Sequence, residues 1–164
     1  MKRGALKNSK KTNWKVLIIS LIIVYGIAFL GSIFTSSKVN TDWYNSIRPA
    51  ITPPNYVFPI VWNILFFLIA ISLYLAWTNS NKKQKTKVAV VFGINLILNV
   101  LWSLLYFGLQ NPFYAFIDLI LIWFSILAMI KITSTISKKA SYLLLPYLFW
   151  VSFAGILNWL SIFK

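Results

Sequence analysis

Residues 57–77 read VFPIVWNILFFLIAISLYLAW, a run without one charged side chain. Coiled as a helix at 1.5 Å per residue, it extends about 30 Å, the thickness of a bilayer's hydrocarbon core. A strand of a membrane barrel would be about half as long and would alternate apolar with polar residues, which this run does not. Four more apolar runs flank it, over 16–34, 88–107, 113–130 and 143–162. The chain is therefore predicted to be an all-α membrane protein, a five-transmembrane-helix bundle. Its parts are a basic leader over 1–15, a membrane domain over 16–164, and one long connection over 35–55.

The charges follow the same division. Sixteen Lys and Arg face two acids, for a net charge of +14. Lys2, Arg3, Lys7, Lys10, Lys11 and Lys15 precede the first span. Lys82, Lys83, Lys85 and Lys87 lie between the second and third, and Lys131, Lys138 and Lys139 between the fourth and fifth. The alternate side holds only Lys38, Arg48 and Lys164. By the positive-inside rule the N-terminus is expected in the cytoplasm and the C-terminus outside. So distributed, the charge sets topology and does not point to nucleic acid, and attraction to anionic membrane lipid accompanies it. The first span is too long for a signal-peptide core and no small-residue cleavage site follows, so it is expected to be retained. The Lys-, Ile- and Asn-rich composition points to a bacterial plasma membrane.

The chain has no Cys and no His. That excludes disulfides, thiol chemistry, Cys- or His-ligated metals and a Ser-His-Asp triad. The 35–55 connection holds Pro49, Pro53 and Pro54 beside Trp43 and Tyr44. Proline lowers the entropy cost of fixing a loop, so an ordered lid is expected. No internal repeat is visible, and no GxxxG signals a close-packed dimer.

Eight tryptophans in 164 residues are the other outstanding feature. With the topology fixed, Trp62 lies about 8 Å below the loop-side end of span two, and Asp118 about as far down span four. Asn99, Trp102, Ser103 and Tyr106 occupy the loop-side half of span three. Trp150, near the middle of span five, and Ala154, Asn158 and Trp159 beyond it occupy the same half. Asn95, Asn99, Trp102 and Tyr106 share one helix face at i, i+4, i+7, i+11. Trp150, Ala154 and Asn158 share another, where the small Ala154 leaves room for a flat ligand. These residues gather beneath the loop and have no counterpart at the other end, which points to a cavity for something planar and apolar. Pro146 is expected to kink span five. Asp118, the one intramembrane acid, costs about 2.5–3.5 kcal/mol to insert and is expected to face the interior with Asn, Ser, Tyr or Trp donors as partners. Simpler roles compete: Trp14 and Trp77 as interfacial anchors, Trp123 facing lipid, Asn95 and Asn99 bonding helices together, and Asp118 as a structural group.

These motifs resemble the TspO/MBR family, the tryptophan-rich sensory proteins related to the mitochondrial translocator protein (peripheral benzodiazepine receptor). The loop reads Trp43-Tyr44-Asn45-Ser46-Ile47-Arg48-Pro49-Ala50-Ile51-Thr52-Pro53-Pro54 against a family pattern like W-Y-x-x-L-x-K-P-x-W-x-P-P. Span two offers Phe58-Pro59-Ile60-Val61-Trp62, and span three Asn95, Asn99, Trp102-Ser103 and Tyr106-Phe107. Span five gives Leu145-Pro146-Tyr147-Leu148, Trp150, Phe153-Ala154 and Leu157-Asn158. The resemblance implies a five-helix bundle, often a homodimer, that binds porphyrins, sterols and benzodiazepine-type ligands under the first loop. It places Tyr44, Trp62, Asn99, Trp102, Tyr106, Asp118, Trp150, Ala154 and Asn158 around the ligand, and Phe66 and Ser103 join them as ligand-binding candidates. Ile51 departs from the pattern, standing where the family loop has Trp. The Tyr of the vertebrate sterol motif after span five is also missing, so sterol recognition is not carried over.

Three functions follow as expectations. In the first, a receptor, sensor or transporter binds a porphyrin as ligand with no cofactor required, the ring on the aromatics and its propionates near Arg48 or Lys38. Without an axial His or Cys, a metal-free porphyrin fits better than haem. In the second, an activity that the family resemblance implies, the protein degrades porphyrin in light, with Trp62 and Trp150 as redox-active catalytic candidates and the pigment supplying the chemistry. In the third, it is an accessory protein whose interior is filled by its own aromatics.

Overall fold

The computed structural model describes residues 12–164, so most of the basic leader expected over 1–15 lies outside the described residues. Among the described residues, five helices are long and apolar enough to cross a membrane. Helix α1 spans Trp14–Ser36, capped by Asn13, whose side chain accepts from the Val16 amide at 3.3 Å. Helix α3 covers Val57–Asn79. Helix α4 covers Lys82–Ser103 and continues as a wider π-helical turn over Leu104–Gly108. Helix α5 covers Pro112–Ser134, with proline at its first position, where no N–H is required. The fifth span is divided into α6, Lys138–Tyr142, and α7, Leu145–Ile162.

The helices depart most from the hydropathy reading at three places. α4 starts at Lys82 and not at 88, because Asn81 and Gln84 form a capping box that opens the helix within the basic segment. Hydropathy locates the part of a helix that meets lipid, not the helix end. α5 runs on to Ser134, past the expected end at 130. Pro146 does not kink a continuous span: it sits in the first turn of α7, where a missing donor costs nothing, and the chain breaks between Tyr142 and Leu145.

The loop is folded. Thr41 caps a short helix α2, Asp42–Ile47, by accepting from the Tyr44 amide, and Asp42 complements the positive end of that helix. Arg48, held extended before Pro49, ends it. The Arg48 guanidinium then donates to the carbonyls of Pro53, at 2.6 Å, and Thr52, at 3.4 Å. The Asn55 amide reaches back to the Asn40 side chain at 3.2 Å.

Helix register follows from side-chain bonds. The Asn13 amide meets the Tyr74 hydroxyl, and Ser72 donates to the Ala140 carbonyl at 2.8 Å, so the starts of α1 and α6 sit at the far end of α3. The Asn158 amide donates to the Pro112 carbonyl, and the Trp123 indole to Ser152, which sets α5 antiparallel to α7. The core gathers Val24, Leu65, Ile69, Phe92, Ile126, Met129 and Tyr147. Large apolar side chains such as Ile22, Phe29, Ile64, Ile97 and Phe124 face outward, while Asn95, Asn158 and Thr133 are buried. A soluble protein reverses that order. Apolar spans with polar groups sequestered inside make this an integral membrane protein.

Candidate functional site

A cavity of about 670 Å³ opens beneath the loop, walled by α1, α3, α4, α5 and α7 and roofed by Tyr44 of α2 with Pro49, Thr52 and Asn55 after it. Trp62 and Phe66, one helical turn apart on α3, stack with centroids 5.2 Å apart. Trp102 and Tyr106 stack on α4 at 5.1 Å. The π-helical turn turns Tyr106 and Phe107 inward together, 4.9 Å apart, where the lid meets them: Trp43 packs edge-on to Tyr106 and Tyr44 against Phe107. Trp150 closes the α7 wall edge-on to Phe58 at 5.9 Å.

Polar groups in this wall are mostly held by one another. Trp102 donates its indole N–H to the Asn158 side chain at 3.0 Å. The Tyr106 hydroxyl pairs with Ser161 at 2.9 Å. Asn99 donates to the Tyr147 hydroxyl at 2.6 Å, and that hydroxyl donates on to Asn95, which also donates to Ser125. Asn95 is wholly buried and serves as glue between α4, α5 and α7, whereas Asn99 both bonds α7 and faces the cavity. The Trp150 indole N–H is buried without a partner among the described residues. In the roof, burial holds the Tyr44 phenol above its ordinary range, and the nearby Arg48 guanidinium acts the other way.

Of the residues singled out from sequence, Tyr44, Trp62, Phe66, Asn99, Trp102, Ser103, Tyr106, Trp150, Ala154 and Asn158 all line this space. Asp118 does not. It is buried at 3 % exposure, yet neither carboxylate oxygen has a partner among the described residues, and the α5 residues that reach the cavity are Leu119 and Ile122. One position off the lining face is enough to turn it away. Arg48 and Lys38 are also absent from the lining, Arg48 being committed to the loop carbonyls. Ile51 is exposed at the surface and does not contribute. Trp123 is only half-buried, but its indole bonds Ser152 on α7.

The sequence reading gave α1 no role, but Tyr25, Phe29, Gly31, Ser32 and Thr35 of that helix line the cavity. Tyr25, Phe29 and Ser32 recur at i, i+4, i+7, a spacing that signals one face. Tyr25 donates to the Asn63 carbonyl of α3 at 3.1 Å. Because Phe29, Ser32, Pro59 and Asn63 are exposed as well as lining, the cavity reaches the outside of the bundle between α1 and α3.

Known proteins share this pattern. A family model described as TspO/MBR family matches residues 18–163. A tryptophan-rich protein TspO from Archaeoglobus fulgidus is 44% identical over 143 residues, covering 87% of this chain and 92% of that one. Another of that name from Chlorobaculum tepidum is 38% identical over 149 residues, covering 89% and 94%. The human translocator protein is 30% identical over 135 residues, covering 80% and 79%. With the match running through all five spans and the loop, the chain belongs to the TspO/MBR family.

Proposed function

We propose that the protein binds a planar hydrophobic ligand, a metal-free porphyrin, in the cavity beneath the loop, as a receptor, sensor or transporter. The observation that carries this reading is the cavity itself: about 670 Å³ of space flanked by the Trp62–Phe66 and Trp102–Tyr106 stacks. That volume falls within the range of small-molecule sites, and aromatic faces suit a conjugated ring. An interior filled by its own aromatics would leave no such space, which disfavours a purely structural role. Few polar groups remain free to read the ligand. Trp150 presents its ring to the cavity, while its indole N–H is shielded and has no partner among the described residues.

A dark titration of purified protein with protoporphyrin IX, followed by tryptophan fluorescence, tests this. Saturable quenching weakened in Trp150→Phe is the expected result, and linear, unsaturable quenching rejects it. A second reading, light-dependent porphyrin degradation, draws support from Trp62 and Trp150 both reaching the cavity. It requires loss of the porphyrin spectrum under light that slows in Trp62→Phe or Trp150→Phe. Equal bleaching in those variants removes it.

A further inference from the structure

The end of the bundle opposite the loop carries charge that the cavity does not use. Lys15 of α1, the lysines from Lys82 to Lys87 of α4, Lys131 of α5 and the Lys138–Lys139 pair of α6 meet there. No acid compensates them, because the two in the chain are Asp42 in α2 and Asp118 in the loop-side half of α5. The arrangement runs against helix electrostatics. α4 opens on lysines with no acid in its first turn, although that end of a helix carries positive partial charge. Lys83 and Lys87, at i and i+4, repel one another. Lys85 is turned onto the Trp77 ring, 5.6 Å from its centroid, while Lys83 and Lys87 are exposed.

The same face of α4 continues as an apolar ridge. Val90, Ile94, Ile97 and Leu101 follow Lys83 and Lys87 in steps of three and four, so all six residues lie on one strip. The four apolar members are 52%, 50%, 65% and 37% exposed. From Val90 to Leu101 the ridge runs about 16 Å, comparable to much of an acyl chain. Two uncompensated cations at the membrane surface, continuous with an exposed apolar track on one helix, match a molecule with an anionic head and a hydrocarbon tail.

We propose that this strip of α4 is a binding site for an anionic phospholipid, with the headgroup phosphate between Lys83 and Lys87 and an acyl chain along Val90, Ile94, Ile97 and Leu101. The lipid anion relieves the repulsion at the start of α4 and supplies the negative charge that its first turn lacks. The site stands apart from the cavity and does not depend on what the cavity binds.

The test uses the full chain, purified in mixed micelles holding equal phosphatidylglycerol and phosphatidylcholine, with the retained lipid measured by mass spectrometry. Wild type is expected to retain phosphatidylglycerol about fivefold over phosphatidylcholine, the scale of one engaged lysine at an anionic surface. Lys83→Gln/Lys87→Gln cuts the enrichment by about half or more, the rest being attraction by the other lysines at that end, and Lys83→Arg/Lys87→Arg keeps it. Lys38→Gln/Lys164→Gln, at the other end, leaves it unchanged. A wild-type ratio equal to the micelle's, or an enrichment that the Gln pair leaves undiminished, overturns the proposal. So does an enrichment lost equally in the Lys38/Lys164 control, which would mean attraction by net charge alone. Loss to inorganic phosphate beyond that seen in chloride of matched ionic strength would make the occupant a free anion and equally overturn it. Micelles present both ends of the bundle, so a variant that inserts in the opposite orientation cannot mimic the effect.

Discussion

The Trp102 indole donates to the Asn158 side chain at 3.0 Å, and the Asn158 amide donates in turn to the Pro112 carbonyl at 2.8 Å. One buried amide thus ties α4, α5 and α7 together under the loop, and orients a cavity tryptophan while doing so. Asn158→Leu strands the Trp102 N–H and the Pro112 carbonyl in an apolar interior. It is expected to destabilise the protein by about 1–3 kcal/mol and to shift tryptophan emission. Thermal unfolding followed by fluorescence checks both, and an unchanged midpoint would show that the tie contributes nothing.

Asp118 behaves in the opposite way. Its two buried oxygens have no partner, so nothing is broken by removing them. Asp118→Leu, close in volume, is expected to leave the thermal midpoint unchanged or raise it, because an orphaned polar group costs about 1–3 kcal/mol. Ligand affinity should stay within about twofold, since the side chain is not in the lining. A large loss of affinity would place the carboxyl in contact with the ligand after all.

Arg48 holds the loop closed and does not face the cavity. Hydrogen bonds to charged groups are worth about 1.5–3 kcal/mol, so Arg48→Gln should loosen the lid and speed ligand release by roughly tenfold or more. The effect should be the same for protoporphyrin IX and its dimethyl ester. A loss confined to the free acid would instead mean that Arg48 binds the propionates directly.

Tyr44 gives the lid a pH limit. Burial raises the phenol above its ordinary 10.0, so the folded state holds the proton longer than the unfolded chain does. The stability that Tyr44 contributes is complete below that ordinary value and is lost as pH rises through the folded one. Protease cutting of the loop should therefore accelerate in wild type at strongly alkaline pH and do so less in Tyr44→Phe. Equal acceleration in both would assign the change to other groups.

Much of this was legible in the chain because membrane helices are written in long apolar runs, and because polar and aromatic residues are costly inside them. Asn99, Trp102 and Tyr106 on one face of α4, and Trp150, Ala154 and Asn158 on one face of α7, could be placed from spacing alone. Asp118 shows the limit: periodicity gives a face within roughly one residue, and Leu119 took the lining position. The division of the fifth span was missed because Tyr142–Leu145 stays apolar while the backbone breaks. α1 was passed over because Tyr25 and Ser32 are only weakly polar and Phe29 is apolar, and their spacing stands out only once α3 is beside them. Arg48 looked like a free cation because a carbonyl cradle leaves no mark in sequence.

The most direct test of the cavity as the ligand site is the equilibrium affinity of Ala154→Leu for protoporphyrin IX in the dark. Ala154 lines the cavity between Trp150 and Asn158, and a leucine there fills space without removing a hydrogen bond. The expected result is an affinity lowered by about tenfold or more, about 1.4 kcal/mol, at an unchanged thermal midpoint. Wild-type affinity in this variant would contradict the account and place the ligand elsewhere on the protein.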